Sequence, residues 1–185
     1  MFDINPDYDS LINAIRTRNG LKGTIEVDPA YGKYHYDGHR DCNISLKPSK
    51  ALSLNNICPV CHKQLTIGVL HRVEQLADRP EGYIPKDAKR VYHLIPLSEI
   101  ISTVMSKAVS TKSVWQEYDK LVKHFKTELE ILMNVAYEDL VKVTSAKIAE
   151  LIIKLRDNKV KIHPGYDGVY GKIEVGQQSS LGNYV

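Results

Sequence analysis

No uninterrupted apolar run in these 185 residues approaches the roughly 20 residues that a membrane-spanning helix needs. The amino-terminal stretch Met1-Phe-Asp-Ile-Asn-Pro-Asp7 is acidic and lacks the basic and apolar regions of a secretory signal, so none is expected. Cysteine is scarce, and its count of three is odd. That argues against a disulfide framework and for a reducing compartment, so a cytoplasmic chain is expected. Excess charge is also lacking. A formal net charge of +3 does not announce a nucleic-acid binder, so any electrostatic partner has to be sought in local patches. What remains is ordinary for a soluble domain: 43% hydrophobic residues, enough for a core, and 25% charged.

The three cysteines are not scattered. Cys58-Pro-Val-Cys61 follows His39-Arg-Asp-Cys42 after a 15-residue spacer. Two short ligand pairs, H-x2-C and C-x2-C, are the layout of a structural zinc site, with each pair on a tight turn and the ion closing a tetrahedron. His39, Cys42, Cys58 and Cys61 are therefore the candidate ligands, with His35 and His71 as alternatives to His39. Ordinary buried thiols remain an alternative, though they do not explain the clustering. A thioredoxin-like redox pair is weaker, because the flanks do not read as a βαβ unit.

Along the chain, Asn5-Pro6 reads as an N-cap and first turn and Asn19-Gly20 as a C-cap, enclosing Tyr8, Leu11, Ile12 and Ile15 at helical spacing. One or two short strands follow over 21–36, with Thr24–Val27 the best candidate. The middle of the ligand-bearing stretch, 47–56, reads as loop. Val69, Leu70, Val73, Leu76 and Ala77 predict a short helix after Cys61. A boundary is expected near Arg79–Lys89, where prolines, Gly82 and charges crowd together. From residue 97 on the texture is helical. Ser113 to Gln116 and Thr127 to Glu130 fit capping boxes, and Ile148, Leu151, Ile152 and Leu155 mark a last helix. Trp115 is expected to anchor a core or interhelix contact. The expectation is an α+β chain: an N-terminal helix (1–20), a small zinc-ribbon or knuckle-like module (21–90), a helical bundle ending in a basic turn (91–175) and a flexible tail (176–185).

Two further segments invite a chemical reading. At Gly68–Arg79, His71 and Arg72 lie near a helix N-terminus, where backbone amides favour anions. Alternatively, His71 is a hydrogen-bonded core histidine and Arg72 pairs with Glu74 or Asp78. At 154–172, Lys154, Arg156, Lys159, Lys161 and Lys172 surround a turn that holds glycines, Tyr166 and Tyr170. Lysines neutralise phosphates and tyrosines stack on unpaired bases. The bland alternative is a β-hairpin with a Tyr-Asp-Gly turn and lysines on a solvated edge.

The chain resembles the C-terminal part of the endonuclease Q family, DNA-repair enzymes built on a polymerase-and-histidinol-phosphatase (PHP) catalytic domain. The matching stretches are Tyr8–Arg16, Asp28-Pro-Ala-Tyr-Gly-Lys-Tyr-His35, Cys58–Cys61, Gly68–Asp78, Ile95–Ile101 and Pro164-Gly-Tyr-Asp-Gly-Val-Tyr-Gly171. The resemblance implies a zinc-binding module and a helical module that help grip DNA near a damaged base such as uracil or hypoxanthine, held out of the stack. It also implies that residues 5–19 correspond to the end of a missing catalytic domain or its exit helix, in a fragment or a short relative that lost the nuclease. The catalytic centre of that family begins with an H-x-H pair, and none of the seven histidines forms one. The expectation is therefore a lesion-recognition region, inactive alone, whose parent protein is a metal-dependent DNA endonuclease. DNA contacts are expected at Lys161, Tyr166, Tyr170 and Lys172, helped by Lys33, Arg72 and Arg79. The rival reading is a zinc-stabilised protein-interaction module that docks a helicase or the missing PHP domain.

Overall fold

Two apolar clusters of very different size organise the chain, whose computed structural model describes residues 1–174. The expected tail, 176–185, lies outside the described residues. The elements run α1 (Tyr8–Thr17), β1 (Gly23–Glu26), β2 (Asp37–His39), β3 (Ile44–Leu46), α2 (Pro48–Ser53), α3 (Val69–Leu76) and β4 (Arg90–His93). The helical half follows as α4 (Leu97–Met105), α5 (Lys112–Phe125), α6 (Glu128–Met133), α7 (Tyr137–Val143) and α8 (Ala146–Arg156), closed by β5 (Ile162–His163) and β6 (Lys172–Ile173). The fold is α+β, as the sequence predicts, with short two-stranded sheets rather than one continuous sheet.

The larger cluster joins Leu97, Ile100, Ile101, Val114, Leu121, Ile131, Leu140 and Ile152, all at 1% exposure or less, with five more buried residues. Each such side chain contributes about 1.5–3 kcal/mol on burial, so the helical half has a core of its own. Two polar side chains lock it. Glu128 accepts from the Leu97 amide (2.7 Å), capping α4, and from the Tyr118 hydroxyl (2.9 Å). Arg156 donates to the carbonyls of Ile131, Leu132 and Val135 at 2.9–3.1 Å, satisfying the end of α6. The second cluster holds only Ala51, Cys58 and Leu65 as buried members, with Cys42, Ile44, Leu46 and Cys61 packed around them. Nearly half of that small core is cysteine, so the candidate metal site is also the core of its module.

Several local expectations are corrected. Asp7, not Asn5, caps α1, its carboxylate taking the Ser10 amide at 2.8 Å; the helix ends on Arg18 in the left-handed region (φ 62°), ahead of Asn19-Gly20. The 47–56 stretch contains α2, opened by Pro48 and closed by left-handed Asn55 and Asn56. Thr111 rather than Ser113 precedes α5, so Ser113 lies inside the first turn, its hydroxyl accepting from Lys107 Nζ at 3.0 Å. Thr127 caps α6 as expected. Trp115 is 44% exposed and lies edge-on to Tyr118, so it is no core anchor.

β1 and β4 pair in parallel from Gly23↔Arg90 to Glu26↔His93, and the crossover between them carries the cysteine module. β5 and β6 pair in antiparallel fashion, and Tyr166 bridges Val169 within the turn between them. Residues 162–173 are thus the hairpin of the alternative reading, and the turn folds back onto residues 30–40. No described helix is long and apolar enough to cross a membrane.

Candidate metal centre and nucleic-acid interface

His39, Cys42, Cys58 and Cys61 offer four donor atoms that lie within 4.8 Å of one another. His39 ends β2, and the 3-10 turn Arg40–Cys42 swings Cys42 back toward it, closing on left-handed Asn43 (φ 53°). The second pair repeats the device. Cys58 and Cys61 share a knuckle in which the His62 amide donates to the Cys58 carbonyl at 3.0 Å and His62 is left-handed (φ 60°). The β2–β3 pairing and the contact of Cys58 with Ala51 and Leu65 bring the two turns face to face. Cys61 Sγ stands 3.7 Å from His39 Nδ1. Donors of a tetrahedral ion bound at about 2.0–2.3 Å lie about 3.6 Å apart, so the donor set fits such an ion.

The cluster treats two of its sulfurs in opposite ways. Burial, and then hydrogen bonds with the Cys61 and Cys58 sulfurs, push the Cys42 thiol up to about 12. Burial pushes Cys58 the same way, but the amides of Cys61 and Val60 aimed at its sulfur outweigh that and bring it below its ordinary value. The knuckle amides thus favour the thiolate form of Cys58, and a cation would favour the same form in its neighbours.

The two alternatives to His39 have other roles. His35 stacks on Tyr36 with centroids 5.3 Å apart. His71, 4% exposed, donates from Nδ1 to Asp37 Oδ2 at 2.6 Å, and Asp37, fully buried, also accepts the Gly68 amide at 2.7 Å. His71 is therefore the hydrogen-bonded core histidine that the sequence left open. It fixes α3 against β2, two positions from His39. Arg72 bonds Gln75 (3.1 Å), not Glu74 or Asp78.

The C-terminal turn is fastened to this module by its backbone. His35 and Tyr36 amides donate to the Gly165 carbonyl, the Gly165 amide to the Ala30 carbonyl and the Gly168 amide to the Lys33 carbonyl, at 2.9–3.1 Å. A Cβ on Gly165 would collide with the Gly32 carbonyl, so glycine is required there. Asp167 accepts the Arg40 amide (2.6 Å) and the Thr66 hydroxyl (2.7 Å). Its partial burial pushes the carboxyl up, but those two bonds and the Arg40 charge outweigh it and hold the carboxyl below its ordinary range.

The residues expected to meet DNA divide into three groups. Lys33 and Tyr170 come together: Lys33 Nζ lies 5.8 Å from the Tyr170 ring centre and 5.6 Å from that of Tyr34. Tyr170 is 62% and Tyr34 46% exposed. Tyr34 was not singled out from sequence, although it adjoins Lys33. Lys172 is exposed on the same hairpin, while Lys161 pairs with Glu174 at 3.1 Å. Tyr166 is half-buried, its ring against Gly38 and its hydroxyl donating to Asn43 at 2.7 Å, so it is a fastening rather than a free platform. Arg72 and Arg79 are exposed on and just beyond α3, Arg79 lying 5.1 Å over the Tyr83 ring.

This geometry has close counterparts among known proteins. A solved lesion-specific endonuclease, PfuEndoQ from Pyrococcus furiosus, superposes with a TM-score of 0.84 at 29% identity over 98% of this chain and 46% of its own. An endonuclease Q solved with a 27-mer duplex substrate bearing an abasic lesion superposes at 0.81, with 28% identity, 98% and 47%. The chain resembles the C-terminal region of the endonuclease Q family. The MJ0043 C-terminal domain model matches residues 96–159, the helical half. The uncharacterized protein MJ0043 of Methanocaldococcus jannaschii is 35% identical over 170 residues, 92% of this chain and 21% of that protein. The uncharacterized protein YqxK of Bacillus subtilis is 35% identical over 171 residues, 91% and 40% respectively. The chain thus spans less than half the length of each of these relatives and solved structures.

Proposed function

We propose that this chain is the DNA-binding, lesion-recognition region of an endonuclease Q-like repair nuclease, with a structural zinc ion and no nuclease centre of its own. Superposition on a lesion-specific endonuclease over 98% of the chain carries the reading. His39, Cys42, Cys58 and Cys61 would hold the zinc, whose tetrahedral preference and taste for thiolate and imidazole suit the donor set. Four protein ligands leave no open position for a reacting water, so the ion's contribution is folding energy in a module with few other buried side chains. A reducing cytoplasm would keep the three thiols available.

In this reading Lys33, Tyr170 and Lys172 form the working face, with Tyr34 added from the structure. Two exposed rings flanking a lysine suit an unpaired base beside a phosphate. Lys161, Arg72 and Arg79 add peripheral charge, and Tyr166 holds the turn that presents Tyr170. The test is fluorescence anisotropy with a duplex that contains an abasic site, set against the intact duplex. Lys33→Ala/Lys172→Ala is expected to weaken both, with a shallower salt dependence. Binding equal to the parent's would sink the reading.

A protein-interaction module is the second reading, favoured by α3. Val69, Val73 and Leu76 recur along this helix at 62%, 53% and 64% exposure. A PHP catalytic domain or a helicase would be the partner, and capture of DNA-binding-deficient variants by that partner would support it.

A further inference from the structure

A groove of about 700 Å³ runs between the end of α1 and the segment that leads into β4. Its walls come from two stretches, 17–22 and 86–89, brought side by side because the parallel pairing begins at Gly23↔Arg90. Arg18, Lys22, Lys86 and Lys89 line it against one carboxylate, Asp87. Lys22 is paired with Asp3 at 3.0 Å, whereas Arg18, Lys86 and Lys89 enter no ion pair among the described residues. In a chain whose net charge is only +3, this is a concentrated positive surface. Arg18 partly answers the carbonyl end of α1. Lys86 and Lys89 belong to no helix, and Asp87 between them pairs with neither among the described residues.

We propose that this groove is a second nucleic-acid site, one that takes the phosphodiester backbone without reading bases. The inference rests on the DNA-binding reading above and extends it to residues that share no member with the Lys33–Tyr170 face. Among the described residues no aromatic ring lines the groove, and Leu21 and Ala88 are its only apolar members apart from Gly20. It therefore lacks the apolar, enclosing wall that a nucleobase or small ligand requires. What it offers is flexible cationic side chains lining an open channel, groups of the kind that position a phosphate backbone. A free anion such as inorganic pyrophosphate shares that chemistry but would fill only part of such a channel.

The experiment measures the salt dependence of binding to labelled duplexes of unrelated sequence, using the 185-residue chain and its Lys86→Ala/Lys89→Ala variant. Both positions are exposed and outside regular structure, and an unchanged Tm checks the fold. Loss of two phosphate contacts lowers the log–log slope by about 1.8, at about 0.9 per contact. The loss of affinity should be equal on every sequence, and Lys86→Arg/Lys89→Arg should retain the parent slope. If the slope stays the parent's while Lys33→Ala/Tyr170→Ala weakens binding, the groove proposal fails and the reading of the zinc-module face stands. If the parent binds no DNA at all, both fail. A second arm maps lysine acetylation. Protection of Lys86 and Lys89 by duplex but not by pyrophosphate at equal phosphate concentration supports the proposal. Equal protection by both makes this a small-anion site and overturns it.

Discussion

His71 donates its Nδ1 proton to Oδ2 of Asp37 at 2.6 Å, with both side chains shut away from solvent. The bond joins α3 to the strand that carries His39. Removing the imidazole strands a buried carboxylate with only the Gly68 amide for company. His71→Ala is expected to cost about 3–5 kcal/mol in urea unfolding, the scale for breaking one side of a buried pair. Metal content under native conditions should stay that of the parent. A stability change below about 1 kcal/mol would show that Asp37 is satisfied by other means.

The donor cluster predicts one zinc per chain. Cys58→Ser should abolish stoichiometric metal and unfold the module around Ala51 and Leu65, while the helical core of Ile100, Leu121 and Ile152 retains its far-UV signal and a separate transition. Elemental analysis that finds no metal in the parent would refute this assignment.

On the proposed reading, Tyr166 and Tyr170 separate structure from recognition. Tyr166→Phe loses the bond to Asn43 and should cost about 0.5–1.5 kcal/mol of stability with DNA affinity unchanged. Tyr170→Ala should do the reverse: an unchanged Tm, and about 1–3 kcal/mol lost in preference for an unpaired base. If Tyr166→Phe alone alters base preference, the roles have been exchanged.

Much of this site was legible in sequence because metal ligation is a spacing rule: each pair sits on one turn, and the turn is local. The Asp37–His71 bond was not, since the sequence left His71 suspended between core and function and gave no sign of its partner 34 residues away. The helix α2 escaped because Pro48, Ser49 and the two asparagines read as loop, although proline suits a first helical turn. Ser113 misled for a comparable reason. A capping box describes a local competition, and here the helix begins at Lys112, one residue before Ser113. Tyr166 and Tyr170 looked equivalent in the chain, and only the close approach at Gly38 distinguishes them. The groove at Lys86 and Lys89 depends on strand pairing between segments about 65 residues apart, which periodicity does not reveal.

Acid should loosen the C-terminal turn. The carboxyl of Asp167 is held below its ordinary value of 3.8, so its contribution is complete above that pH and is lost as pH falls through the lower folded value. Amide signals of Gly168 and Tyr170 should shift in a step below about pH 4, and Asp167→Asn should remove the step. A step that persists in the variant would assign it to another carboxylate.

On the proposed reading, purified chain should leave uracil- or hypoxanthine-containing duplexes intact with Mg²⁺ or Mn²⁺. Metal-dependent nicking that disappears with a change at His35, at an unchanged Tm, would place a nuclease centre in this chain after all.

The fastening of Asp167 to Arg40 and Thr66 spans 127 and 101 residues, and it governs the order in which the chain can mature. During synthesis the metal-binding turns emerge first, yet the hairpin that covers Gly38 and clasps residues 30–36 is made only after all five helices from α4 to α8. Metal loading can precede that clasp, whereas the surface carrying Lys33, Tyr34 and Tyr170 exists only once the last described residues have returned. Contacts of such long sequence separation form late and slowly. A ribosome-stalled chain ending before residue 160 should therefore bind metal but lack the aromatic face, so that, on the proposed reading, metal binding and recognition are acquired in that order.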